Sequence, residues 1–388
     1  MCDTFASTIY YSQNPSETNS DKNLEIIKNK ISELFNLKNI NFLFGAGVSS
    51  DSIPCMKEME REIRGELSGD SLKLYEMIET DNLEKKLNVL YSKKHYLYGI
   101  KSSNEDEKKQ VEELISFIET QMYNKINIDF SKKSQSLELY KKFYQKTALR
   151  KKELSRLNIF TTNNDLINEK ALDTLSINFN NGFGGGLDRF FNPSRFSHTL
   201  SRKIDSNLNK YEPIQNMIYL YKLHGSISWI KDTGCSLFNI KEVSVTPGEE
   251  KTGTDYVLIY PTPLKQGQSL GSPYADLIRE FQNKLLLSQS VLFIIGYSFS
   301  DEHINDIIYQ ALASNPSISI VIFGNYGDCP ILKIKDSRVI NIYGTLSNGK
   351  NIHYFDYIVD ELLPNIDENL DKQMLESFIS EFVNNHER

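Results

Sequence analysis

Short apolar runs alternate with segments of helical spacing along most of the chain. The runs lie at 40–44, 157–160, 218–223, 256–260, 291–295 and 318–323, and their length and their β-branched and aromatic content predict strands. Apolar positions three and four residues apart at 274–287 and 302–313 predict helices between some of them. Because such alternation is typical of parallel sheets with both faces covered, the pattern predicts an α/β, Rossmann-like fold with a mostly parallel sheet.

The same pattern divides the chain into segments. Residues 1–20 are polar and rich in turn formers, which predicts a flexible arm, with a helix starting after a cap at Ser20 or Asp21. Residues 58–153 are dense in Lys and Glu and carry almost no strand signal, so we predict an all-helical insertion module there. Residues 21–57 and 154–388 then form the α/β domain, with a polar surface excursion at 232–254.

Composition is that of an ordinary globular protein. Of the 388 residues, 39% are hydrophobic and 24% are charged, which fits one large domain with an insertion or two domains. The net charge of −7 argues against a sequence-independent grip on nucleic acid, because that grip needs a basic face. Lys-rich stretches at 141–146 and 150–152 leave direct nucleic-acid binding open, but a solvated helix face is the simpler interpretation.

The cysteines and the apolar runs bear on location and on metals. The four cysteines, Cys2, Cys55, Cys235 and Cys329, lie far apart, so we expect neither a CxxC zinc site nor a disulfide framework. The run at 291–295 is far short of a membrane span, and the first residues lack the features of a signal peptide. We therefore expect a cytoplasmic protein with no metal site and no membrane association.

Two of the predicted strands run directly into glycine turns. Gly45, Ala46 and Gly47 follow the first run, while Gly296 and Ser298 follow the fifth. Glycine lets the backbone approach a pyrophosphate, and a following helix N-terminus offers free amide hydrogens. The first turn is an incomplete dinucleotide fingerprint, because a serine stands at the third glycine position. A plain turn or a helix cap explains either feature equally well.

Two other predicted strands end in polar clusters. Thr162, Asn163 and Asp165 follow the second run, while His224 and Gly225 follow the third. Open α/β sheets bind ligands at the carboxyl ends of their strands. An Asn or Asp there is also a preferred helix cap, and a histidine at a strand end is more often structural than catalytic. Clusters after four strands nevertheless predict one binding crevice at the carboxyl edge of the sheet.

These four segments, in this order, resemble the motifs of the sirtuin family. They read Gly-Ala-Gly-Val-Ser at 45–49, Thr-Thr-Asn-x-Asp at 161–165, His-Gly-Ser at 224–226 and Gly-Tyr-Ser at 296–298. The second and fourth are similar to those of the bacterial anti-phage defence branch, and the resemblance covers roughly 38–60 and 155–330. It implies a sirtuin-like NAD-binding domain.

The resemblance implies that the glycine turns hold the phosphate and adenosine parts of NAD. The residues implied for the pyrophosphate are Gly45, Ala46, Gly47 and Ser49. Those implied for the adenosine half are Gly296, Ser298 and Asn325.

The resemblance also implies how the nicotinamide–ribose bond is cleaved. Asn163 would contact the ribose and help place the attacking water, and Asp165 would hold the carboxamide of nicotinamide. His224 would act as the base on the ribose hydroxyls or on water, and Thr162 and Gly225 belong to the same motifs. Cleavage of an N-glycosidic bond builds positive charge on the ribose, and histidine, with an ordinary pKa of about 6.5, accepts protons near neutral pH.

The departures from the family narrow the expected reaction. Protein-deacylating sirtuins carry a zinc module of two Cys pairs, and this chain has no such pairs. The resemblance therefore favours an NAD hydrolase that releases nicotinamide and ADP-ribose and depletes NAD in anti-phage defence, with NAD as substrate and no zinc. A protein deacylase or ADP-ribosyltransferase stays an alternative. A non-catalytic sensor of NAD or ADP-ribose, or a scaffold in a nucleic-acid-processing ATPase complex, is another.

Regulation is expected because an NAD hydrolase that is always active would be toxic. The sequence indicates no separate sensor domain, so we expect a homo-oligomer that is controlled by a partner protein. The chain resembles sirtuin-like subunits that are encoded with a HerA-type hexameric ATPase, which implies such an ATPase as the partner.

Overall fold

An eight-stranded sheet organises the chain. A computed structural model describes residues 8–11, 20–101, 104–151, 153–205, 209–232, 238, 240–250, 256–258, 273–327 and 329–364. The strands are β1 (Thr8–Tyr11), β2 (Asn39–Phe44), β3 (Leu157–Thr161), β4 (Asn178–Asn180), β5 (Phe183–Gly184), β6 (Arg189–Phe191), β7 (Ser201–Asp205), β8 (Lys210–Pro213), β9 (Met217–Lys222), β10 (Gly225–Lys231), β11 (Ile240–Glu242), β12 (Tyr256–Leu258), β13 (Ser290–Ile295), β14 (Ile318–Phe323) and β15 (Val339–Thr345).

Helices cover both faces of this sheet and form a module beside it. They are α1 (Ser20–Phe35), α2 (Met56–Glu66), α3 (Gly69–Glu76), α4 (Leu83–Gly99), α5 (Glu105–Ile126), α6 (Ser134–Thr147), α7 (Ile167–Thr174), α8 (Tyr274–Leu285), α9 (Glu302–Ser314), α10 (Pro330–Lys333) and α11 (Phe355–Tyr357). Short 3₁₀ turns lie at Ala46–Val48 and Pro193–Ser197, and a π-helical turn at Ile358–Leu362 follows α11.

The strand order of the main sheet is β1-β15-β14-β13-β2-β3-β9-β4. Each neighbouring pair is parallel except β1 and β15, which are antiparallel. The prediction of an α/β fold with a mostly parallel sheet is therefore confirmed. The central strand β2 explains why the apolar runs are continuous: Phe42 and Phe44 pack into the core beneath α1, α6 and α7, while Leu43 packs into the core beneath α8 and α9.

The run predicted at 256–260 does not belong to the main sheet. Tyr256–Leu258 forms β12 of a second, antiparallel sheet of order β12-β10-β11-β6-β5, and residues 259–260 lie outside the described residues. A parallel strand needs a long crossover connection, usually a helix, whereas an antiparallel strand needs only a loop. The chain between β10 and β12 contains no helix in its described part, so β12 returns antiparallel beside β10.

Three strands of the main sheet, β1, β4 and β15, lie where the sequence analysis predicted none. Thr8–Tyr11, inside the predicted flexible arm 1–20, forms edge strand β1 against β15, and Tyr10 stacks on Tyr343 with ring centroids 4.5 Å apart. The prediction is wrong for these four residues, because β15 offers an unpaired edge that a short segment can complete. The rest of residues 1–19 lies outside the described residues.

The predicted helical insertion at 58–153 contains helices joined by loops and no strand in its described part, but it does not form one body. Helices α2 to α5 share a core that includes Ile63, Leu87 and Leu114. Helix α6 instead packs on the main sheet, where Phe143 lies 5.0 Å from Phe42 between ring centroids. The structural module therefore ends with α5, and α6 is a layer of the α/β unit. Among the described residues, no helix has the length and apolar character needed to cross a membrane.

Candidate functional site

The predicted site residues lie along the carboxyl edge of the main sheet. Strand β2 is the switch point of this sheet: the next strands along the chain, β3 and β9, lie on one side of β2, whereas the later strands β13 and β14 lie on the other. In open α/β sheets, ligands bind in the crevice outside the strand ends at such a switch point. The segments after β2, β3, β9, β13 and β14 all reach this edge.

The glycine turns after β2 and β13 pack directly against each other. The Gly45 amide donates to the carbonyl oxygen of Ile295, and the Gly47 amide donates to that of Gly296, both at 3.0 Å. A Cβ on Gly45 would lie 2.4 Å from the Gly296 oxygen, and one on Gly47 would lie 2.8 Å from the Gly296 Cα. These glycines are therefore required by the contact between the turns, a reason the sequence analysis did not foresee.

The helix expected after the first glycine turn is only a single 3₁₀ turn, Ala46–Val48. Helix α2 begins at Met56 and belongs to the helical module. A helix N-terminus aimed at a pyrophosphate is therefore not found here, because the chain leaves the sheet instead of packing back on it. Ala46 and Gly47 are exposed, so the turn still presents backbone to solvent at this edge of the sheet.

A buried hydrogen-bond network joins the first and second motifs. The side-chain nitrogen Nδ2 of Asn163 donates to the Gly45 carbonyl oxygen at 3.1 Å and to the Ser49 hydroxyl at 3.2 Å. The Ser49 hydroxyl donates to Asp165 Oδ2 at 3.2 Å, and Asp165 Oδ1 accepts from the Ile167 amide at 2.9 Å. The side chains of Ser49 and Asp165 therefore point into this network, whereas Asn163 is half-buried. Burial raises the pKa of Asp165, while the Lys222 charge and these donors oppose that rise.

The third motif is tied to the second through Asn164. The Asn164 amide nitrogen donates to the carbonyl oxygens of His224 at 2.7 Å and Gly225 at 3.2 Å. Gly225 has φ of +84°, which makes the sharp turn after His224 and favours glycine there. His224 is 8% exposed, and its ring lies 5.7 Å from that of His303 between centroids, at 32°. His303, at the start of α9, was not singled out from the sequence, because nothing local indicates that it contacts a histidine 79 positions earlier.

Lys222 is a buried charged residue beside the second and third motifs that the sequence analysis missed. Its ammonium group is buried, and it donates to the carbonyl oxygen of Asp165, to Glu169 Oε1 at 2.8 Å and to the Ser226 hydroxyl at 3.0 Å. Burial raises the pKa of Glu169, and the Lys222 charge opposes that rise. A lysine inside the apolar run 218–223 was the available signal, because a buried charge needs a partner.

The residues expected at the adenosine half lie on the loops after β13 and β14. Ser298 and Asn325 are both exposed. The two loops touch through Phe299 and Tyr326, whose ring centroids are 5.5 Å apart. At the other side of β2, the Thr162 amide donates to the Phe44 carbonyl oxygen at 3.0 Å. The roles of these residues stay predictions.

No group of three or more His, Cys, Asp or Glu side chains in the described part of the chain is arranged to hold a metal ion. Cys2 and Cys235 lie outside that part. The expectation that the site works without zinc stays a prediction.

Comparison with known proteins gave one family match. Residues 157–345 match the model of the SIR2-like domain, and no curated protein matches the chain. Among solved structures, a Sir2 homologue mutant in complex with ADP-ribose is 15% identical, with 93% of this chain and 98% of that chain covered and a TM-score of 0.40. A Sir2 homologue–NAD complex is 13% identical, with 93% and 96% covered and a TM-score of 0.38. The segment 157–345 is thus similar to the SIR2-like domain, which supports a sirtuin-like family for this chain.

Proposed function

We propose that this chain is a sirtuin-like enzyme that hydrolyses NAD at the nicotinamide–ribose bond and releases nicotinamide and ADP-ribose. The observation that supports the proposal is that Asn163 and His224 follow β3 and β9, two neighbouring parallel strands, at the carboxyl edge of the main sheet beside its switch point. The side chain of Asn163 donates a hydrogen bond to the Gly45 carbonyl oxygen in the glycine turn, and the side chain of its neighbour Asn164 donates one to the carbonyl oxygen of His224. The match of 157–345 to the SIR2-like domain supports NAD as the substrate.

The hydrogen bonds of Asn163 define what its side chain offers to a substrate. A carboxamide nitrogen carries two hydrogens, and those of Asn163 are directed to Gly45 and Ser49. The atom left for a ligand is Oδ1, which only accepts. Asn163 would therefore orient the attacking water or a ribose hydroxyl by accepting a hydrogen bond from it.

His224 supplies the proton acceptor in this proposal. As the C–N bond breaks, positive charge develops on the ribose, and the attacking water must lose a proton. A neutral imidazole takes up that proton, and general-base catalysis of this kind contributes about 10²–10⁴-fold. Gly225 and Asn164 fix the backbone that carries the ring.

The wider role and the regulation rest on the motif resemblance. We propose that the enzyme acts in the cytoplasm, depletes NAD in anti-phage defence, forms a homo-oligomer and is controlled by a HerA-type hexameric ATPase. Sizing of the chain alone and with a candidate ATPase tests the assembly. A monomer that is fully active by itself contradicts this part.

The test of the reaction is nicotinamide and ADP-ribose release from NAD, measured with and without a candidate ATPase. We expect Asn163→Ala and His224→Ala each to lower release by roughly 100-fold or more, since each removes a group from the reacting centre. The matched control is His95→Ala, which removes an exposed histidine on α4. Its activity should equal that of the wild type.

Other outcomes contradict the hydrolase. NAD binding without release under every condition favours the sensor or scaffold alternative. Release that appears only when an acylated peptide is added favours the deacylase alternative.

A further inference from the structure

A tyrosine of helix α6 reaches the hydrogen-bond network under the crevice. The Tyr140 hydroxyl lies 2.9 Å from Ser49 Oγ, and Tyr140 is fully buried. Its ring packs edge-on against Phe355 with centroids 5.3 Å apart and against Phe44 at 6.1 Å. The ring therefore belongs to the core, while the hydroxyl alone points at the site.

The single hydrogen on each hydroxyl group decides which residue donates in each hydrogen bond of this network. The hydroxyl of Ser49 has one hydrogen, and this is donated to Asp165 Oδ2. Tyr140 must then donate its own hydrogen to Ser49 Oγ, because Ser49 has none left to give. Ser49 accepts from both Tyr140 and the Asn163 amide nitrogen while it donates to Asp165.

This order makes a chain of donors that ends at a buried carboxylate. Each donor in such a chain polarises the next, so the hydroxyl of Ser49 is a stronger donor to Asp165 when Tyr140 donates to it. The Ser49 oxygen also stays in place to receive the Asn163 amide.

We propose that Tyr140 is a positioning residue: its hydroxyl holds Ser49, and through Ser49 it fixes the orientation of the Asn163 carboxamide at the crevice. The inference rests on the proposed function, in which Asn163 Oδ1 orients the attacking water. Helix α6 follows the helical module of α2 to α5 directly in the chain, so it gives that module a connection to the site.

The chain contains a matched control on the same helix. Tyr144, one turn further along α6, is also fully buried, and its hydroxyl donates to Asn168 Oδ1 at 2.5 Å. Removal of either hydroxyl as Tyr→Phe leaves the ring in the core. Only Tyr140 bonds a residue that contacts Asn163.

The experiment compares wild type, Tyr140→Phe and Tyr144→Phe in NAD hydrolysis, thermal unfolding and crystal structures without ligand. We expect Tyr140→Phe to lower kcat about tenfold with KM within about twofold, the effect of losing one hydrogen bond from the positioning chain. In its structure, the Asn163 carboxamide should leave the Gly45 carbonyl or adopt more than one orientation. Tyr144→Phe should keep the wild-type kcat and the wild-type Asn163.

Two results overturn the inference. One is an Asn163 that keeps its bonds to Gly45 and Ser49 in Tyr140→Phe. The other is a kcat loss that is equal in both variants, which indicates a general effect of α6 packing. A wild type that releases no nicotinamide refutes the proposed hydrolase, and the crystal structures then decide the positioning role by themselves.

Discussion

The contact between the two glycine turns predicts a steric effect of Gly45→Ala. Gly45 has φ of −106° and ψ of −174°, an extended conformation that alanine adopts without strain. The added methyl group would, however, lie 2.4 Å from the Gly296 carbonyl oxygen and 2.5 Å from the Tyr297 Cα. Both are backbone atoms at the end of β13, so no side chain can turn away to make room.

The magnitude follows from how little these backbones can separate. Strands β2 and β13 are paired along their whole length, from Asn39 with Ser290 to Phe44 with Ile295. Forcing a methyl group into such a packed site costs about 1–3 kcal/mol, and we expect about 2 kcal/mol. For domains of about 150–250 residues, each kcal/mol lowers Tm by roughly 2–4 °C, so Tm should fall by several degrees.

Thermal unfolding followed by circular dichroism measures this effect. The control is Gly65→Ala: Gly65 lies exposed near the end of α2, and a Cβ there meets nothing within 4 Å. Alanine is the better helix former by up to about 1 kcal/mol, so the control should melt at or above the wild-type temperature. If Gly45→Ala melts together with Gly65→Ala, the close approach of the two turns is refuted.

Two further predictions concern buried charges. Lys222→Met should destabilise the fold by about 3 kcal/mol, because it leaves the Glu169 carboxylate buried without its ammonium partner, and adding Glu169→Gln should restore part of the loss in urea unfolding. Burial raises the pKa of Glu119 from 4.5 to about 6, although the Tyr91 hydroxyl donates to it. The pKa of Glu119 is higher in the folded protein than in the unfolded one, so its contribution to the free energy of unfolding is fully present below pH 4.5. About 2 kcal/mol of this contribution is lost as the pH rises through 6. Glu119→Gln should thus be more stable than the wild type at pH 7.5 and should lose this pH dependence. The exposed control Glu113→Gln should behave as the wild type. Equal pH profiles of stability for the wild type and Glu119→Gln would contradict the reasoning.

Local patterns were enough to predict five of the eight strands of the main sheet. Five of the six apolar runs became strands of the parallel sheet, because a strand buried on both faces must be apolar along its length. The predicted ends of these strands also located the polar clusters at one edge. The patterns did not predict that Tyr256–Leu258 pairs antiparallel with β10, or that β1, β4 and β15 extend the main sheet at its two ends.

The candidate site divides in the same way. The sequence by itself determined which residue types stand at the carboxyl ends of the strands, since the apolar runs and the glycine turns are local signals. Only the tertiary structure decided which of them touch: Ser49 meets Tyr140 from 91 positions away and Asp165 from 116, and His224 meets His303. The physical reason is that a hydrogen-bond partner within a few ångströms is set by how the helices and strands pack, and packing joins residues that share no pattern along the chain.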